Sequence, residues 1–156
     1  MKILLIEDDL NKARHIASMI QGAFRSVAII EKHSYTSGLE AARETSPDAI
    51  VLDMSMPTYD VQLAEDGGRS RAFAGRQILH KLLREGVSTS VVIVTQFETF
   101  IEGAERMTLR ELETDLRRQF PRNYLGTVFY QAGSSTWGKE LVKLLAPCVR
   151  ITKTSQ

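Results

Sequence analysis

Short apolar runs rich in β-branched residues alternate along this chain with segments whose apolar residues step by three and four, and that alternation limits the folds open to it. The runs are Lys2 to Ile6 (KILLI), Val27 to Ile30 (VAII), Ala49 to Leu52 (AIVL), Val91 to Val94 (VVIV) and Leu125 to Phe129 (LGTVF). Continuous runs of this kind suit strands buried on both faces, as in a parallel sheet. Between them, Leu10, Ala13, Ala17, Ile20 and Phe24, then Ile78, Leu79, Leu82 and Leu83, then Leu109, Leu112, Leu116 and Phe120 predict amphipathic helices. Ser37 with Glu40, and Thr108 with Glu111, have the spacing of capping boxes, with the first of these helices starting there or one turn earlier. A last helix is predicted over about 135–145, with Trp137, Leu141 and Leu144 on one face, and Pro147 is expected to end it. Such alternation requires right-handed crossovers. It predicts a doubly wound, five-stranded parallel sheet with helices on both faces, and a functional site at the carboxyl ends of the strands.

At 156 residues the chain is expected to be one domain over 1–146, with a short tail at 147–156. Its 20 Lys and Arg nearly balance 19 Asp and Glu, which argues against a dedicated nucleic-acid binder. No apolar run approaches the length that spans a bilayer, and MKILLIEDD has no signal-peptide pattern, so a cytoplasmic protein is expected. The single cysteine, Cys148, excludes an internal disulfide, and His15, His33 and His80 have no metal-ligand spacing. No GxGxxG or GxxxxGK[ST] follows the first strand, which argues against a nucleotide fold.

The acids are placed where that fold would put chemistry. The first predicted strand ends in Glu7, Asp8 and Asp9, the third in Asp53, and the fourth in Thr95. On one edge of a parallel sheet these carboxylates converge, and like charges at close range repel unless a cation intervenes. A hard divalent ion such as Mg²⁺ takes carboxylate oxygens and leaves positions open for a phosphoryl oxygen. The competing reading is that Asp8 and Asp9 merely open the first helix as cap and dipole partners.

Together, Glu7 and Asp8, the segment IVLDMSMP with Asp53, and VVIVT ending in Thr95 resemble the receiver domain of bacterial two-component response regulators. The resemblance covers residues 1 to about 146. It implies a flavodoxin-like fold in which Asp53 accepts a phosphoryl group from a histidine kinase or phosphotransfer protein and Thr95 senses it. It also implies a Mg²⁺ held by Asp8, Asp53, the main-chain carbonyl of Ser55 and, through water, Glu7. Pro57 matches the proline that follows the phosphorylation site. The implied function is to relay a signal to an unidentified downstream protein, with no enzymatic activity beyond self-phosphorylation and autodephosphorylation.

The sequence departs from that family in four places. The family's lysine at the end of strand five is replaced by Tyr130, with Gln131 where a proline is usual. Tyrosine offers one hydrogen bond and no charge, forfeiting a charge-assisted contact of ~1.5–3 kcal/mol. Gln96 stands where a small residue is usual, and either shields the site or positions a water. The connection after strand three, 58–74, is overlong and displaces the usual Asp-Gly to Asp66 and Gly67. Its Arg69 and Arg71, with Arg76 just beyond, are candidates to replace the missing lysine. The connection after strand four, 97–107, is overlong too; Phe97, Phe100 and Ile101 suggest an extra helical turn or a partner surface.

Two functions remain open on these residues. One is a stand-alone or excised receiver phosphorylated on Asp53. The other is a phosphorylation-independent, pseudo-receiver interaction module, suggested by the lost lysine. An aspartyl phosphatase is disfavoured, because the position two residues after Asp53 is Ser55 and not a general acid.

Overall fold

The computed structural model describes residues 1–60 and 70–154, with side chains for 1–60 and 71–149. Its centre is a five-stranded sheet in the order β2-β1-β3-β6-β9, parallel throughout. The strands are β1 (Lys2–Ile6), β2 (Ala28–Lys32), β3 (Ala49–Leu52), β6 (Ser90–Thr95) and β9 (Tyr124–Phe129). All five predicted strands are therefore present, in the doubly wound arrangement that the alternation demands.

Each central strand is buried on both faces because successive side chains feed opposite cores. Ile3, Leu5, Val51, Val92, Val94 and Val128 pack under α1 (Leu10–Ala23) and α5 (Thr136–Thr154). Leu4, Ile6, Ile50, Leu52, Val91 and Ile93 pack under α2 (Tyr35–Thr45), α3 (Ala74–Arg84) and α4 (Leu109–Gln119). The capping box at Thr108 and Glu111 starts α4 as predicted. The cap of α2 is Ser34, the start one turn before Ser37 that the sequence also allows: Ser34 Oγ accepts from the Ser37 amide at 3.2 Å.

Pro147 does not end the last helix, which runs through it to Thr154. Proline removes one amide and crowds the carbonyl four residues back, here that of Lys143. Lys143 and Pro147 are both exposed, while Leu145 and Cys148 are buried in the core, so the disturbance faces solvent and packing holds the helix together.

The connection after β6 is a hairpin and not the extra helical turn that Phe97, Phe100 and Ile101 suggest. After β3, β4 (Met56–Pro57) pairs antiparallel with β5 (Ser70–Arg71); Asp66, Gly67 and Arg69 lie outside the described residues. After β6 comes a hairpin, β7 (Thr99–Glu102) and β8 (Glu105–Thr108). Gly103, at φ +60°, opens its two-residue turn, where a primed turn demands a left-handed residue. Alternation along β7 buries Phe100 against Phe73, with ring centroids 6.2 Å apart, and leaves Ile101 60% exposed.

Candidate phosphoryl-acceptor site

The site is assembled by sheet register. Ile6 pairs with Leu52, and Leu52 with Ile93, so Glu7, Asp53 and Val94 lie at one level just past the paired residues, with Thr95 one step beyond. The main chain locks that level: the Asp53 amide donates to Ile6 O at 3.0 Å, and the Glu7 amide to Lys32 O at 2.9 Å. Carboxylate oxygens of Glu7, Asp8 and Asp53 consequently all lie within 4.8 Å of one another. Glu7 and Asp53 are buried, whereas Asp8 is exposed at the mouth.

Asp9 has a different role. Its side chain caps α1, accepting from the amides of Asn11 at 3.0 Å and Lys12 at 3.1 Å. The helix-cap reading thus holds for Asp9, while Asp8 and Glu7 remain with Asp53. Thr95 is fully buried, and its Oγ1 accepts from the Phe97 amide at 3.2 Å, which leaves the hydroxyl proton available. Asp53 Oδ1 accepts from the Met54 amide at 2.7 Å, and the Ser55 hydroxyl donates to Ala72 O at 3.0 Å, tying the loop after β3 to the segment before α3.

Gly75 allows this close packing. A Cβ there would stand 2.7 Å from the main-chain oxygen of Asp53 and 3.1 Å from Met54 Cα, both backbone atoms that cannot swing aside. Gly75→Ala is expected to cost about 1–3 kcal/mol in urea denaturation, as overpacking does. It should also slow any reaction at Asp53, because the first turn of α3 must withdraw from that residue.

The residue that sequence reasoning missed is Lys12. Its side chain turns inward from the first turn of α1 and is 1% exposed. Nζ lies 2.8 Å from Glu7 Oε1 and 3.1 Å from Asp53 Oδ2, and it donates to Val94 O at 3.0 Å. Burial pushes its pKa down, but the charges of Asp53 and Glu7 outweigh that and hold it above the ordinary lysine value. A charged ammonium here faces two acids. Burial, reinforced by the neighbouring Asp53 charge, pushes the Glu7 carboxyl up to about 10, and the same two causes raise that of Asp8. Lys12 approaches Glu7 closely but off the direction of a good hydrogen bond, so both Glu7 oxygens are buried without one.

Tyr130 stands at the end of β9, as predicted. Its hydroxyl pairs with His15 Nδ1 at 2.6 Å, and its ring packs on Trp137 at 4.8 Å between centroids. Burial and the nearby Asp9 charge raise its pKa above the ordinary tyrosine value, so it stands at the site as a neutral phenol. Arg71 and Arg76, proposed from the sequence, have other partners: Arg71 binds Gln77 Oε1 at 2.7 Å and lies over the Tyr35 ring; Arg76 pairs with Glu105 and Asp115. Both are engaged by these partners, and neither is paired with Asp53 among the described ion pairs; Arg69 lies outside the described residues.

No family model matches the chain. It is 32% identical over 145 residues to the Detocs response regulatory protein DtcB of Enterobacter cloacae (strain JD6301), covering 92% of this chain and 97% of that protein. It is also 32% identical over 139 residues to the uncharacterized protein y4jR of Sinorhizobium fredii (strain NBRC 101917 / NGR234), covering 88% and 91%. Among solved structures, the Francisella response regulator 1452 receiver domain superposes with a TM-score of 0.64 at 18% identity, covering 97% of this chain and 98% of that one. A response regulator receiver domain protein from Clostridium thermocellum gives 0.62 at 16%, covering 99% and 98%. Topology, strand-end acids and relatives agree, and the chain belongs to the receiver domains of response regulators.

Proposed function

We propose that this receiver accepts a phosphoryl group on Asp53 from a phosphohistidine, carried by a histidine kinase or a phosphotransfer protein, and passes the signal on through protein contacts. The observation that carries this reading is the convergence of the Glu7, Asp8 and Asp53 carboxylates within 4.8 Å beside a buried threonine. In the reaction an Asp53 oxygen attacks phosphorus, the bond from phosphorus to the donor nitrogen breaks, and its electron pair stays with the imidazole. Thr95, one step past Asp53 in the register, has a hydroxyl proton to donate to a phosphoryl oxygen.

The residues fit a divalent cation. Hard ions take oxygen ligands, and Glu7 offers two buried oxygens without a hydrogen bond. Glu7, Asp8 and Asp53, with the main-chain carbonyl of Ser55, would hold Mg²⁺. When bound, it neutralises the phosphoryl oxygens so that a weakly nucleophilic carboxylate can approach.

Intact mass after incubation with Mg²⁺ and acetyl phosphate tests the proposal. Wild type should gain one phosphoryl mass, and Asp53→Asn should gain none. Equal labelling of both proteins, or no labelling of wild type while acetyl phosphate goes unconsumed, would overturn it.

A further inference from the structure

We propose that Lys12 is the cation that binds the phosphoryl group on Asp53, so that the contact missing from the end of β9 is made from α1 instead. This rests on Asp53 being the phosphoacceptor. Lys12 Nζ sits where the ends of three strands meet, against Glu7 of β1, Asp53 of β3 and Val94 O of β6. It is already 3.1 Å from the Asp53 oxygen beside which a phosphoryl group would arrive. Among the described residues, the other cations considered for this contact are bound elsewhere.

The exchange with Tyr130 makes physical sense. A second ammonium at 130 would face Lys12 in one small cleft, and like charges there destabilise each other. Tyr130 instead turns its hydroxyl to His15 and keeps its ring 5.8 Å from Lys12 Nζ, close enough for a cation–π attraction. The lysine side chain is a flexible stem ending in three donors, so its head can leave Val94 O and Glu7 to follow phosphoryl oxygens. A phosphoryl group on Asp53 replaces the single charge of the carboxylate with about two, carried on oxygens that reach further from the main chain, which draws it there.

That movement has a built-in reporter. Lys12 lies against Tyr130, and Tyr130 packs on Trp137, the single tryptophan of the chain. The same contacts lead from the site into the first turn of α5, giving a route from Asp53 to the surface that runs beneath α1.

The test compares wild type, Lys12→Met and Lys12→Met/Tyr130→Lys, each with Mg²⁺ and acetyl phosphate, following intact mass and the change in Trp137 fluorescence. Wild type should label and change fluorescence. Lys12→Met should label ~10-fold or more slowly, the rate equivalent of one charge-assisted hydrogen bond, and its labelled form should show no fluorescence change. Returning the lysine to β9 in the double variant should restore the rate of labelling. Wild-type labelling with a full fluorescence change in Lys12→Met would overturn the proposal. A folded double variant that stays unlabelled would do so as well, and decides the matter if the single variant does not fold. Absence of label in wild type would instead overturn the phosphoacceptor reading, and this proposal with it.

Discussion

Lys12→Met is expected to lower the folding free energy by about 3–5 kcal/mol near neutral pH, the usual cost of removing one partner of a buried ion pair. Lys12 is 1% exposed and Asp53 is 4% exposed, so water cannot solvate the Asp53 carboxylate left behind, while Glu7, whose pKa is raised to about 10, keeps its proton near neutral pH. Methionine fills most of the lysine volume, which confines the effect to the lost charge. The same variant should be stabilised by Mg²⁺ more strongly than wild type. The ammonium lies between Glu7 and Asp53, where it opposes a second cation, and its removal leaves those oxygens to the ion. Urea denaturation with and without Mg²⁺ measures both quantities. A loss under about 0.5 kcal/mol, the range of ordinary surface substitutions, would show that Lys12 does not pair with these acids.

The second large effect is a fall in stability with rising pH, caused by Glu7. Burial and the Asp53 charge raise its carboxyl from the ordinary 4.5 to about 10. The folded protein therefore binds this proton more tightly than the unfolded chain does. The stability it contributes is complete below about pH 4.5 and is lost as pH rises towards 10. The slope cannot exceed about 1.4 kcal/mol per pH unit for one proton. Asp8, raised by the same causes, adds in the same direction. Lys12, also raised, acts only above the ordinary lysine value of 10.5. Between about pH 5.5 and about pH 8, wild type should lose up to about 3 kcal/mol, and Glu7→Gln should lose much less. Parallel slopes for the two proteins would refute this assignment.

The sheet was legible because its signal is local: five apolar runs of the right length lie between helical stripes. The strand-end acids were legible for the same reason, since parallel register turns a position at the end of a strand into a position on one edge. Pro147 was misleading because propensity speaks only for the proline. The burial of Leu145 and Cys148 on the other side of the helix outweighs it. The β7–β8 hairpin had a signal, Gly103 at a turn between Phe100, Ile101 and Met107, which a search for helical spacing passes over.

Lys12 was hidden by its type. Charged residues in a first turn normally face solvent, and this one stands among Asp9, Asn11, Arg14 and His15. Yet it lies four residues before Ile16 and eight before Ile20, both buried, which places it on the inward face of α1. A lysine on that face, four positions after a strand-end acid, needs a buried anion. Glu7 and Asp53 supply two. The missing lysine of β9 and the surplus lysine of α1 were both visible, but only the register of β1, β3 and β6 shows that they serve one cleft.

Locating the label tests the central claim most directly. Wild-type protein treated with Mg²⁺ and acetyl phosphate, then reduced with borohydride, converts an aspartyl phosphate to homoserine, which peptide mass mapping assigns to a position. Homoserine at position 53, absent without acetyl phosphate, is the predicted result. Homoserine at position 8 or 9, or a stable phosphoryl group on a hydroxyl elsewhere in the chain, would contradict it.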